Sequence, residues 1–225
     1  MKRKLLIFVC IFILTLTTSF FVYVENYYTI NDKDIIDYIN EEAKIIDDNL
    51  YFDVQNSSEI GFIIYPGAKV EEDAYAGIAK ELVDNGYTAV VASFPFRFAF
   101  FDKNVADDII ENRPEIKKWI IIGHSLGGAM ASSYIENTDK YIVGIVYLGS
   151  YPATQIDIKS VYVYGENDLI LNKNKIPTTK DVYEIKGGNH AGFAYYGSQK
   201  GDGELEISRE DQIKETVEII ISNFE

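Results

Sequence analysis

Gly123-His124-Ser125-Leu126-Gly127-Gly128 stands directly behind four apolar residues, Trp119 to Ile122, and directly before a helix-compatible Ala129-Met130-Ala131. A buried strand that meets a helix through Gly-x-Ser-x-Gly forces its serine onto a sharp turn and lifts the hydroxyl clear of the sheet, with glycines where any side chain would collide. Serine is a poor nucleophile at neutral pH and needs a base, in this arrangement a histidine held by a carboxylate, in the chain order serine, acid, histidine. The chain has two histidines. His124 adjoins the serine with its side chain directed away from the hydroxyl, a packing or hydrogen-bonding position, so the base is expected at His190, in Gly187-Gly188-Asn189-His190-Ala191-Gly192. Between them lies the loop Gly165-Glu166-Asn167-Asp168, which offers two carboxylates, Glu166 and Asp168.

A tetrahedral intermediate also needs preorganised donors for its oxyanion. The backbone N–H of Leu126, just after the serine at a helix start, is the first expected, and Ala68, on the turn Pro66-Gly67-Ala68 after an apolar strand, the second. Phe94, Phe96, Phe98, Phe100 and Phe101, interrupted by Pro95 and Arg97, follow the strand ending at Ser93, on the sheet edge where ligands collect in open α/β folds. Such a cluster lines an apolar acyl pocket or packs under a loop; Phe94, Phe96, Arg97 and Phe193 are the candidate pocket residues. One cysteine, Cys10, and two histidines offer no transition-metal set, and neither a phosphate-cradling loop nor a dinucleotide fingerprint is present, so no metal and no cofactor are implied.

These residues need a scaffold, and the hydrophobic patterning supplies one. Strands are expected at Tyr51–Val54 and Ile60–Tyr65, separated by a polar turn at Asn56, Ser57 and Ser58. Strands at Thr88–Ser93, Lys118–Ile122, Ile142–Leu148, Val161–Tyr164 and Asp181–Ile185 then alternate with helices at Tyr75–Asn85, Asp102–Asn112 and Leu126–Asn137, and a last helix runs from Ser208 to Asn223. Alternation of this kind builds a mostly parallel central sheet with helices on both faces, an α/β fold. The connection Gly149–Lys159 is too short for a large lid, which leaves the site open.

The first 24 residues are of another kind. Lys2, Arg3 and Lys4 precede Leu5 to Val24, a run without charge that is long enough to cross a bilayer as a helix. Bulky Phe20, Phe21 and Tyr23 at its end favour an uncleaved anchor over a cleaved signal peptide, and the basic start places the amino end in the cytoplasm and the remainder outside. If the segment is cleaved, the product is secreted. Residues 25–50 read as a tether and lead-in helix capped by Asn31, with Ile35, Ile36 and Ile39 on one face, and 51–225 as one catalytic domain. Past residue 24 stand all 35 acidic side chains but only 18 of the 21 basic ones, a field that repels nucleic acid.

The elbow Gly123 to Gly128, the acid loop Tyr-Gly-Glu-Asn-Asp and Gly-Gly-Asn-His together resemble the α/β-hydrolase superfamily. The resemblance extends over roughly Tyr51 to Phe224, and is closer to a small bacterial group related to dienelactone hydrolases. Tyr65-Pro66-Gly67-Ala68-Lys69-Val70, Ala191-Gly192-Phe193, Gly201-Asp202-Gly203 and Ile207-Ser208-Arg209-Glu210 are similar to that group's motifs. It implies Ser125 as nucleophile, Asp168 as orienting acid and His190 as base. Dienelactone hydrolases proper use cysteine, so the serine argues against that substrate, and Pro66-Gly67 in place of a frequent His-Gly implies an oxyanion hole of backbone alone. The function expected is a membrane-anchored serine hydrolase that cleaves a small-molecule carboxylic ester or related acyl compound through an acyl-enzyme. Acyl transfer on the same triad, and a binding protein that keeps the fold without turnover, are the competing readings.

Overall fold

The run Trp119–Ile122 is the middle of a sheet that reaches past it on both sides. The structure, a computed structural model, describes residues 2–55, 57–178 and 181–225. Eight strands, β1 (Lys44–Ile46), β2 (Asn49–Phe52), β3 (Ile60–Tyr65), β4 (Thr88–Val91), β5 (Lys118–His124), β6 (Ile142–Leu148), β7 (Lys159–Gly165) and β8 (Val182–Ile185), lie in the order β1-β2-β4-β3-β5-β6-β7-β8. The pairs β1–β2 and β2–β4 are antiparallel, and every later pair is parallel. Six consecutive strands therefore end on one edge, and the loops that leave them collect there.

The side-chain alternation of a strand divides the core in two. In β3, Phe62 and Ile64 join a cluster with helix α3 (Ala76–Asp84) and helix α6 (Arg209–Phe224), through Ile78, Leu82, Ile213 and Val217. Ile63 and Tyr65 face the other way, toward helix α4 (Ala106–Glu111) and helix α5 (Leu126–Ile135), with Ile109, Ala131 and Tyr134. The expected parallel sheet covered on both faces is thus present, with element ends shifted by a few residues; α4 starts four residues late, after a turn.

The lead-in segment differs more. It contributes β1, which pairs with β2 through a hairpin turned by Asp47 (φ 48°) and Asp48 (φ 64°). Two aspartates in the left-handed region make the two-residue turn that Asn-Gly ordinarily marks, so the hairpin lacked its usual signature. Helix α2 (Lys33–Glu42) is capped by Asp32, whose carboxylate accepts from Ile35 N at 3.1 Å, and not by Asn31, whose N–H instead donates to Tyr195 O. Ile35 is buried and Ile39 packs on the same core, while Ile36 stands exposed at the flank. Strand β2 pairs with β4 and not with β3; of the polar turn expected between them, Asn56 lies outside the described residues, and Ser57 Oγ accepts from Thr88 N.

Helix α1 (Lys2–Glu25) is long and apolar enough to cross a membrane. Its last turn meets the rest of the chain at Val24, which is buried.

Candidate active site

Strand β5 ends at His124, and α5 begins at Leu126. Ser125 between them takes φ 52° and ψ −120°, a conformation that L-residues adopt rarely and at a cost. Ser125 N donates to Leu148 O, and Ser125 O accepts from Ser150 Oγ at 2.6 Å, so the strained residue is tied to the end of β6 on both sides. The flanking glycines are required by contact: a Cβ on Gly123 would run into Gly128, and one on Gly127 into the carbonyls of Tyr65 and Pro66.

Asp168 leaves the end of β7 and is buried, at 2% exposure, with His190 at 1%. One carboxylate oxygen of Asp168 accepts from Ile170 N and Leu171 N, at 2.9 and 2.8 Å, and the other lies 2.8 Å from His190 Nδ1. An ionised carboxylate only accepts, so Nδ1 donates to it, and in the neutral imidazole Nε2 is then the acceptor. Nε2 has no partner among the described residues. His190 and Ser125 line one cavity of about 280 Å³ together with Leu126, Ala129, Gly149 and Tyr151. No hydrogen bond joins the two side chains here; such bonds tighten when substrate is bound. Glu166 is exposed and faces elsewhere, its carboxylate accepting from Gly187 N at 3.0 Å and pairing with Lys186 at 3.3 Å.

The loop that carries His190 is held from several directions. Gln212, fully buried on α6, accepts from Asn189 N and donates to Asn189 O. Asp202 accepts from Ala191 N at 2.8 Å and from Gly203 N. Asn189 itself donates to Gly203 O and accepts from Gly192 N. Sequence reasoning missed Gln212, although a glutamine on the face shared by Ile213, Thr216 and Ile220 is a polar residue in a buried stripe and so a signal.

On the turn after β3, Pro66 has no N–H, and the N–H of Gly67 is taken by Tyr75 Oη at 2.8 Å. Lys69 N donates to Arg97 O and Val70 N to Gly67 O. Ala68 alone on this turn keeps an N–H without an acceptor among the described residues, and Leu126 N–H is free as the first donor of a helix. Both positions expected as oxyanion donors therefore carry an N–H without an acceptor among the described residues; Leu126 lines the cavity with Ser125, and Ala68 lies on the neighbouring turn.

His124 packs and hydrogen-bonds, as its position suggested. Its ring lies 4.5 Å from that of His190, and its Nδ1 is 2.6 Å from Tyr75 Oη. The Tyr75 oxygen accepts from Gly67 N and shares one further hydrogen with His124 Nδ1. Burial first, and the neighbouring His190 second, hold the His124 pKa well below its usual range, so the ring stays neutral. An unfolded histidine binds a proton below about pH 6.5 that the folded one refuses, so this group's contribution is full above that pH and is lost as pH falls, at up to ~1.4 kcal/mol per unit. Urea unfolding between pH 8 and pH 5 should show the slope, reduced in His124→Gln. Asp73, raised to about 6 by burial and by Glu71 and Glu72, acts in the opposite sense but equally in both proteins, so the difference isolates His124.

Gly149, which no sequence signal singled out, opens the loop after β6 with φ 50°, and a Cβ there would come within 2.7 Å of His190 Nδ1 and 2.9 Å of Asp168 Oδ2. Gly149→Ala should push the two apart and lower kcat on a soluble ester about 10²-fold, the usual cost of an ångström of misplacement, with KM nearly constant. Steady-state kinetics beside a thermal melt separates this from simple unfolding.

The expected pocket residues are not brought to the cavity. Phe193 is buried in the core with its ring 5.7 Å from His124, and Phe94 packs edge-on against Tyr65 at 5.0 Å. Phe96 and Arg97, both with positive φ, turn toward the end of α1: Phe96 lies 5.3 Å from Phe20, and the Arg97 guanidinium sits 3.4 Å over the Tyr27 ring. The phenylalanine-rich loop packs, and the cavity at Ser125 is lined from the loops after β5, β6, β7 and β8.

Comparison with known proteins agrees with this fold. The sequence profile of the Alpha/beta hydrolase family matches residues 61–214. Among curated proteins nothing matches the chain. Among solved structures, an α/β-hydrolase enzyme from the metagenome of sediments of the Mar Chica lagoon, Morocco, superposes with a TM-score of 0.59 at 13% identity, over 80% of this chain and 96% of that one. An α/β serine hydrolase without a lid from Xanthomonas campestris superposes with a TM-score of 0.53 at 13% identity, over 77% and 88%. At such identities the likeness is one of fold, and the profile carries the assignment: the chain belongs to the α/β-hydrolase family.

Proposed function

We propose that the protein is a serine hydrolase that cleaves a carboxylic ester or related acyl compound through an acyl-enzyme, with Ser125 as nucleophile, His190 as base and Asp168 as orienting acid. The observation that carries this reading is the buried His190–Asp168 pair, whose bare Nε2 belongs to a side chain sharing one cavity with a serine on a strained strand-to-helix turn. Ser125 Oγ attacks the acyl carbon as its proton passes to His190 Nε2, and Asp168 stabilises the imidazolium. The oxyanion is received by the N–H groups of Leu126 and Ala68. Collapse expels the alcohol with the proton from His190, and water repeats the sequence on the acyl-enzyme to release the acid.

The connection from β6 to β7 adds no element that would cover the cavity, which suits an open site such as the lidless serine hydrolase fold. We propose further that α1 is a retained anchor, with Lys2, Arg3 and Lys4 on the cytoplasmic side and the catalytic domain outside. The packing of its last turn on the domain supports retention over cleavage. A fluorophosphonate probe tests the catalytic reading: it should label the protein once, on the peptide containing Ser125. No label, or a label on another serine, would sink it.

A further inference from the structure

The end of α1 docks on the same sheet edge as the candidate active site. Tyr23 stacks on Phe98 at 6.2 Å, Phe20 and Phe21 contact Phe96, and Phe20 contacts Phe101 at 6.4 Å. These partners lie in the loop after β4, whose Arg97 carbonyl accepts from Lys69 N on the turn after β3, one residue from Ala68. Lys69 in turn places its ammonium 4.1 Å over the Tyr23 ring. Tyr28 continues the seam, donating to Lys69 O and accepting from Glu71 N.

Depth along α1 shows what that loop meets. Phe20 is four residues inside the end of the apolar run, roughly 6 Å along a helix axis. Side chains packed on it stand below the headgroup level of any bilayer that α1 spans. Yet Phe96, Phe100 and Phe101 remain 38%, 52% and 45% exposed with α1 in place. On the same edge the acid loop presents Leu169, 71% exposed, and Ile170, which lines the cavity at Ser125. Lys69 over Tyr23, near the end of α1, and Arg97 over Tyr27, two residues beyond it, supply cations where lipid phosphates lie, in a chain otherwise strongly acidic. Contiguous apolar surface beside a membrane span, with an aromatic and basic rim, is what an interface with lipid requires.

We propose that the catalytic edge of the sheet rests on the outer surface of the bilayer, with Phe100 and Phe101 in lipid, and that the substrate is an acyl ester resident in that bilayer. This rests on the anchor and serine-hydrolase readings above and narrows the substrate to esters that a membrane presents. A soluble ester still reaches Ser125 from water, only without the concentrating effect of the surface.

The test uses the full chain in phosphatidylcholine nanodiscs. In Phe100→Trp, indole emission should be quenched when the lipid is replaced by brominated phosphatidylcholine, against the low background of Trp119, which is buried in the domain core. Phe100→Ser/Phe101→Ser should lose about tenfold in turnover of 4-methylumbelliferyl oleate carried in the disc, ~1.4 kcal/mol, while turnover of p-nitrophenyl acetate changes less than about twofold. Phe100→Leu/Phe101→Leu should restore the lipid-borne activity. Absence of quenching would overturn the seating and give the patch to a protein partner. Equal loss on both esters, or loss on neither, would overturn the substrate assignment. Quenching with turnover of neither ester in the unmodified chain would refute the hydrolase reading, and the substrate class with it, while leaving the seating intact. A soluble product beginning after residue 20 would refute the anchor and the seating together.

Discussion

Ser125→Ala should lower kcat on p-nitrophenyl acetate by about six powers of ten and abolish fluorophosphonate labelling, while the fold stays as stable as before. In the proposed mechanism the loss follows from removing the atom that forms the acyl-enzyme, and a comparable serine in a protease costs about 2 × 10⁶. What remains should still exceed the uncatalysed rate, because the N–H groups of Leu126 and Ala68 are untouched and donors of this kind retain roughly 10³ to 10⁴ over water. The stability part follows from the structure: the Ser125 hydroxyl has no hydrogen-bond partner among the described residues, so none of them is left unpaired when it goes. The strain of φ 52° is carried by alanine as by serine. A melt that drops by many degrees would show that the serine has a structural role the geometry does not reveal. Labelling that persists in the variant would move the nucleophile elsewhere.

The parts of this protein that could be read from its sequence are those fixed by local constraint. Ser125 sits in a pattern whose glycines are dictated by contacts within a few residues or with the adjoining strand, so their presence announces the turn. His190 was expected by elimination, with one other histidine in the chain, and Asp168 by its place after a strand and by family likeness; the structure pairs the two side chains. The residues that were missed act across the sheet. Gly149 is required because two side chains from β7 and the β8 loop converge on it, Tyr75 because it spans Gly67 and His124, and Gln212 because α6 lies under Asn189. None of these has a neighbour in sequence that betrays the partner. The aromatic loop shows the same limit in another form. Five phenylalanines within eight residues signal burial against something apolar, but composition does not name the surface, and here it is the end of α1 and not the cavity at Ser125. The Asp47-Asp48 hairpin was missed for a third reason, that two aspartates occupy left-handed positions without a glycine to mark them.

The two carboxylates of the acid loop should separate cleanly on substitution. In Asp168→Asn the carbonyl oxygen of the new amide is drawn to Ile170 N and Leu171 N, which already bond one oxygen of Asp168, so its NH₂ faces His190. A donor opposite Nδ1 turns that nitrogen into an acceptor and moves the imidazole proton to Nε2, where it blocks acceptance of the serine proton. The expected loss in kcat is about 10⁴-fold, as for the corresponding change in a protease triad, with KM changed little because neither oxygen of Asp168 reaches the cavity lining. Glu166→Gln should do far less. Its bond from Gly187 N survives on the amide oxygen, and what disappears is an ion pair with Lys186 between two exposed side chains, which solvent screens. Less than about tenfold in kcat is expected, under roughly 1.4 kcal/mol of barrier. Measuring kcat for both variants on one ester decides the assignment, and a crippled Glu166→Gln beside a near-normal Asp168→Asn would reverse it.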